Sequence, residues 1–172
     1  LIIGIQVGLG IATTTVISIA LGAQKNQYAR ELGSLVIASG FMLILVLCLL
    51  IWKNQKVIIV TLGANEALFP LIQEYWLPWL VGSWLGAMLY FGYSIFRAHG
   101  ETFLPGMMMV LTSILNIILD PIFIFVLDMG MAGAAWATIC AFGTGCIIIY
   151  SFILRKQLIM LPQDIAIVLT GL

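Results

Sequence analysis

Charge is what this 172-residue chain has least of: seven basic and seven acidic side chains, 8% of all residues, against 63% hydrophobic ones. A water-soluble domain needs a polar coat, and this composition cannot supply one. The charges cancel, so no basic surface points to nucleic acid, and none is expected as a partner. Histidine occurs once, at His99, which reads as a solvated residue of a connector. No Ser/His/Asp or Cys/His arrangement and no nucleotide-binding loop is evident, which argues against an enzyme. Cys48, Cys140 and Cys146 lie in apolar runs without metal-ligand or redox spacing, and read as small buried hydrophobes. No resident cofactor is implied. The chain opens inside an apolar run, without a signal-peptide pattern, and closes as another run starts, which leads one to expect an internal fragment of a longer protein.

What the chain does have is long apolar runs. A bilayer-crossing helix needs about 20 mainly apolar residues. Residues 1–21, 34–52, 75–96, 102–127 and 131–154 meet or approach that length, and a sixth run begins near Asp164. Hydrocarbon cannot satisfy exposed peptide groups, so each run is expected to be helical; all are too long and too uniformly apolar for barrel strands. The expected fold is an all-α membrane protein, a polytopic helical bundle.

Connector charges set the orientation. Lys25 and Arg30 follow the first run, Arg97 the third, and Arg155 and Lys156 the fifth. The connector after the fourth run holds only Asp128 as a charge, and the longer one over residues 53–74 offsets Lys53 and Lys56 with Glu66 and Glu74. The positive-inside rule makes the first set cytoplasmic and the second external. Trp52, Trp76 and Trp79 then fall at the outer edge, where indole rings prefer to sit. Residues 57–62 and 67–72 are amphipathic enough to lie on the outer surface. Gly4 with Gly8, Gly8 with Ala12, Gly82 with Gly86 and Ala141 with Gly145 stand four apart, the spacing that lets membrane helices approach closely.

Of the fourteen charges, Asp120 alone is expected inside the bilayer. At mid-helix an aspartate costs about 2.5–3.5 kcal/mol on the insertion scale, so it calls for a partner or a use. Asn116 stands four residues earlier on the same helix face. Pro121 lacks an N–H and so frees the carbonyl of Ile117, one turn back. A carboxylate, an amide oxygen and a carbonyl in one patch suit a hard cation such as sodium, and a desolvated carboxylate also gains proton affinity. The plainer reading is that Asp120 hydrogen-bonds a neighbouring helix. Pro78 repeats the device in the third run, freeing the carbonyl of Glu74 next to Tyr75; a structural kink is the alternative.

The block Asn116 to Phe125 (NIILDPIFIF) and the run Gly130 to Thr138 (GMAGAAWAT) closely resemble the multidrug and toxic compound extrusion (MATE) transporters. The stretch Ala12 to Gly33 is similar to that family's second helix and the cytoplasmic loop after it, and the runs Leu62-Gly63-Ala64 and Arg97 to Thr102 also fit. The resemblance implies a twelve-helix fold in two six-helix lobes. Residues 1–154 would then be most of the N-terminal-lobe bundle, family helices two to six. Residues 155–172 would be the cytoplasmic inter-lobe loop and the start of the seventh helix. The partner lobe would belong to the same polypeptide, and the protein would be a multi-pass protein of the plasma or inner membrane.

The resemblance further implies antiport: export of organic, often cationic, compounds driven by inward sodium or protons. In the archaeal and DinF-like branch, to which the chain looks most similar, the implied cation or proton site comprises Asn116, Asp120, Thr138 and the carbonyl of Ala134, with Tyr75 nearby. Sodium, where it is the coupling ion, would use Asp120, Asn116 and Thr138. A further aspartate on the family's first helix has no counterpart in these residues. Pro121 and Pro78 would mark bends that change with occupancy, and Met88, Met107, Met108, Met109, Trp84 and Phe91 could wall a cavity for hydrophobic cations. The rival readings are a lipid-linked saccharide flippase of the same wider superfamily, disfavoured because no Lys or Arg lies within a run, and a non-transporting membrane scaffold.

Overall fold

The computed structural model describes residues 2–61, 63 and 69–160. Among these there are six α-helices and no strand: α1 (Ile2–Gly22), α2 (Asn26–Lys53), the short α3 (Gln55–Thr61), α4 (Phe69–Ala98), α5 (Phe103–Pro121) and α6 (Gly130–Arg155). Five are long and apolar enough to span a bilayer, and they coincide with the five expected runs. The run beginning near Asp164 lies outside the described residues, as do residues 64–68 of the outer connector. Of the two stretches expected on the outer surface, the first forms α3, with Ile59 buried and Val57 and Val60 exposed. Residues 69–72 of the second instead open α4.

Two helices begin well before their apolar runs. Helix α2 starts at Asn26, eight residues ahead of the expected Ser34, and α4 at Phe69, six ahead of Tyr75. Apolarity marks the part of a helix inside hydrocarbon, about 30 Å thick, whereas α2 has 28 residues and so reaches about 42 Å. The polar turn around Arg30 therefore continues the helix into the interfacial layer.

Helix α4 is the hub. In its spanning window 61% of residues are buried, against 33% or fewer in any other span. Two core clusters form on it. Tyr93, Ile95 and Phe96 pack with Ile17 of α1, Ala29 of α2, Met108 of α5 and Ile149 and Ile153 of α6. Nearer the other end, Leu80, Met88 and Phe91 pack with Ile44 and Cys48 of α2. Close approach depends on glycines. A Cβ on Gly82 would meet Thr138 and Ile139 of α6, and one on Gly86 would meet the Phe142 ring at 3.0 Å.

The small-residue expectation is half met. Gly82, Gly86, Ala141 and Gly145 sit in helix seams, but Gly4 and Gly8 face open space and Ala12 is exposed. On that side Gly10 makes the contact, against Tyr90 and Ser94. Spacing of four marks a stripe; the register of the neighbouring helix decides which stripe is used.

Five of the seven basic residues gather at one end. The turn after α1 closes with Lys25 N–H on the Ala20 carbonyl, around a left-handed Gln24 at φ 59°. Gly100 and Gln157 end α4 and α6 in the same way, with Glu101 N–H on the Phe96 carbonyl and Leu158 N–H on the Ile153 carbonyl. Lys156 pairs with Glu101, and Arg30 Nη2 donates to the Ile159 carbonyl at 3.4 Å. By the positive-inside rule this is the cytoplasmic end. His99 is there too, half-buried rather than solvated, its Nδ1 2.9 Å from the Ile95 carbonyl at the exposed end of the helix ladder. At the opposite end Trp76 and Trp79 pair at 5.6 Å, and Trp52 is half-exposed.

Candidate functional site

Proline sets the geometry of the outer half of α5. Without an N–H, Pro121 interrupts the ladder; Ile122 N–H turns back to the Leu119 carbonyl, and residues Ile122–Val126 form a wider π-helical turn. Leu127 N–H closes that turn on the Ile122 carbonyl at 2.9 Å. Asp128 and Gly130 then take left-handed backbone, φ 53° and 55°, and reverse the chain into α6. Gly133 lies directly on this turn: a Cβ there would stand 2.7 Å from the Phe123 carbonyl carbon and oxygen. The reversal brings the α5 face of Asn116 against the α6 face of Thr138.

Three of the expected site residues meet there. Asn116 Nδ2 donates to Thr138 Oγ1 at 3.4 Å, and Thr138 Oγ1 donates to the Ala134 carbonyl at 3.0 Å. The other end of the Asn116 amide, Oδ1, is buried and accepts no hydrogen bond. Asp120 stands one turn outward on the same face, half-buried, with no hydrogen bond or ion pair among the described residues. The plainer reading of Asp120 as a bonded strut between helices therefore finds no support. Its depth also differs from expectation. In the span Phe103–Val126 it occupies the outer third rather than the middle, where the cost of a carboxylate is lower.

Gly82 backs onto Thr138 from α4. Pro78 and Tyr75 lie four and seven residues before it, on the same α4 face and toward the outer end. Pro78 is buried within a continuous helix, and Tyr75 is half-buried without a hydrogen bond to the cluster. Helix α4 thus carries Tyr75 above the site, but the side chains that close it are on α5 and α6.

Other expectations change. Met88, Met108 and Phe91 are core residues, 6%, 4% and 0% exposed, while Met107 and Met109 face outward. Cys48 is buried and Cys146 half-buried, but Cys140 is exposed on α6. Sequence reasoning did not single out Thr112, one turn inward of Asn116, or Tyr93 facing it from α4; the i, i+4 step from Asn116 was the available signal for Thr112.

The MatE family profile matches residues 1–122, more than two-thirds of the chain. The chain belongs to the MATE family of transporters. The FAD transporter of Shewanella oneidensis is 33% identical over 143 residues, a match covering 81% of this chain and 32% of that protein. A probable multidrug resistance protein of Bacillus subtilis, YpnP, is 30% identical over 102 residues, covering 57% of this chain and 22% of the relative. Among solved structures, the Vibrio cholerae MATE transporter VcmN in its bent form is 52% identical and superposes with a TM-score of 0.90, covering 92% of this chain and 36% of that one. The MATE chain spans about a third of the length of the relatives it matches. Family and spanning helices together make it part of a multi-pass protein of the cell membrane.

Proposed function

We propose that the polypeptide carrying this MATE lobe is a secondary active antiporter. It exports organic, often cationic, compounds across the cell membrane in exchange for inward sodium or protons. Asp120, Asn116, Thr138 and the Ala134 carbonyl hold the coupling cation, and the C-terminal lobe of the same polypeptide supplies the other half of the substrate path. The observation that carries this reading is the Asn116–Thr138–Ala134 chain of hydrogen bonds with the unpartnered Asp120 carboxylate one turn above it. Four oxygens from two helices, one of them anionic, match the donor set of a hard cation, and the carboxylate alone serves for a proton. Occupancy couples to substrate only through different affinities in the two conformations. A cation that favours the state with the α5–α6 seam closed provides that difference.

The Shewanella relative favours a second reading, in which the exported compound is an aromatic dinucleotide such as FAD. The acidic site argues for cationic substrates. The basic residues at the cytoplasmic end, Arg97 among them with its guanidinium 5.0 Å from the Tyr90 ring centre, give an anion a first contact. A lipid-linked saccharide is the weaker alternative, because the only intramembrane charge near the seam is acidic.

The experiment is efflux of a cationic dye and of FAD from proteoliposomes of the full-length protein, with sodium and pH gradients imposed separately. Wild-type efflux driven by one gradient, and lost in Asp120→Asn, is the expected result. Asp120→Asn at the wild-type rate would sink the cation site, wild-type efflux indifferent to both gradients would sink the antiport, and no efflux of either compound would leave the scaffold reading.

A further inference from the structure

Toward its cytoplasmic end α4 is buried almost completely. Of residues 87–98 all but Tyr90 and Arg97 are buried, and these two stand seven apart, two turns along one face. Their flanks show what opens there. On one side the Ser94 carbonyl accepts from Thr14 Oγ1 of α1 at 3.2 Å, and on the other Tyr93 faces Thr112 of α5. Helices α1 and α5 do not touch each other among the described residues, so a strip of α4 stays uncovered between them. Half-buried Gly86 and Ser83 continue the strip outward to Gly82, which backs onto Thr138. Arg97 turns into this strip. Near a membrane boundary an arginine usually reaches out to water, but side chains on α4 lean toward its N-terminus, the outer end, and Arg97 follows them inward. Its Nη2 donates to Ser94 Oγ at 2.9 Å, and its guanidinium carbon stands 5.0 Å from the Tyr90 ring centre. Gly10 of α1 makes room for that ring: a Cβ there would overlap it and stand 2.8 Å from Ser94 Oγ. The guanidinium pairs with no carboxylate among the described residues, and Glu101, four residues on, is taken by Lys156.

We infer that Arg97 and Tyr90 form a binding site for the phosphate of an anionic aromatic substrate, at the cytoplasmic start of a path along the α4 strip. The inference rests on the second reading of the proposed function and deepens it by assigning the group that meets the anion. A guanidinium has five N–H donors, and Ser94 takes one. Its planar fork offers two parallel N–H groups to one phosphate, which an ammonium cannot do. Ser94 and the Tyr90 ring hold that plane before the ligand arrives, so little freedom is lost on binding. Along the helix axis Arg97 lies about 22 Å from Gly82 and the cation site behind it, so substrate anion and coupling cation occupy different places.

The test is equilibrium binding of FAD, and of riboflavin, which lacks the phosphates, to the full-length protein in phosphatidylcholine nanodiscs. Arg97→Gln is expected to weaken FAD about 10–100-fold, to leave riboflavin unchanged, and to remove most of the salt dependence of FAD binding. Arg97→Lys, which keeps the charge and loses the fork, should fall between the two. An equal FAD Kd in wild type and Arg97→Gln overturns this inference alone. Parallel weakening of FAD and riboflavin does the same, by making Arg97 a residue of the fold. Phosphatidylglycerol retained by the wild type and lost in Arg97→Gln, with FAD unchanged, would give the site to a lipid headgroup and also overturn it. A wild type that binds no FAD overturns the second reading and this inference together.

Discussion

Thr138 joins the two helices of the site with a single oxygen. It accepts from Asn116 and donates to Ala134, so its loss strands an amide N–H and removes one of the proposed cation ligands at once. The cost in stability should be small. Interhelical hydrogen bonds in membranes average about 0.6 kcal/mol and reach about 1.7, because the unfolded chain in lipid finds other partners. The cost to cation binding should be larger, because a ligand is lost and its neighbour is set loose. Thr138→Val is therefore expected to melt close to wild type in detergent yet need roughly tenfold more cation for half-maximal exchange. Thr138→Ser, which keeps the oxygen, should resemble wild type in both. Equal cation dependence in the Val and Ser variants would remove Thr138 from the site. At this scale much was legible in advance. Asn116 and Asp120 declare themselves as polar residues in an apolar run, and spacing of four puts them on one face, whereas Thr138 entered only through the family resemblance. Tyr93 does not declare itself, since a tyrosine in a hydrophobic run is ordinary and only the packing of α4 against α5 decides what its hydroxyl meets.

Between elements, the turn that follows Pro121 decides whether α5 and α6 meet in register. The proline and the left-handed Asp128 and Gly130 are readable as breakers, but the π-helical turn that absorbs the missing hydrogen bond is not. Its consequence is the contact at Gly133. A methyl group there would stand 2.7 Å from the backbone of Phe123 and 2.9 Å from Ile124 N, and backbone cannot step aside as a side chain can. Gly133→Ala is expected to cost about 1–3 kcal/mol by overpacking, and to lift the first turn of α6 so that Thr138 moves off Asn116. Gly143 is the control on the same helix. Its nearest neighbour would be Leu85 Cδ1 at 4.0 Å, so Gly143→Ala should be neutral or stabilise by up to about 1 kcal/mol through helix propensity. Thermal unfolding of the two variants in detergent checks this: comparable losses would mean that glycine is needed throughout α6 and not at the turn in particular. The misplaced small-residue pair on α1 has the same lesson in reverse. Gly4 and Gly8 have the spacing but no helix against them among the described residues, whereas the unpaired Gly10 has Tyr90.

For the whole molecule the strongest statement is which end faces which side of the membrane, because the direction of the proposed exchange depends on it. Two independent observations agree. The turns after α1, α4 and α6, with the helix ends that flank them, carry Lys25, Arg30, Arg97, Arg155 and Lys156, and the fold brings those ends together through Lys156 with Glu101, Arg30 with Ile159 and Ser18 with the Ala98 carbonyl. Trp52, Trp76, Trp79 and Asp128 lie at the other end, with the outward third of α5 that holds Asp120. The candidate site is thus nearer the external surface, and under the proposed exchange a cation entering from outside would reach Asp120 before Asn116 and Thr138. Orientation can be read chemically. With Cys48, Cys140 and Cys146 replaced by alanine, a single cysteine at Lys25→Cys and another at Asp128→Cys are exposed to a membrane-impermeant maleimide. In intact cells only Asp128→Cys should label, and Lys25→Cys should join it once the membrane is opened. Labelling of Lys25→Cys in intact cells would invert the topology and place Asp120 on the cytoplasmic side, where a cation bound from outside would have to cross most of the bilayer before meeting a carboxylate.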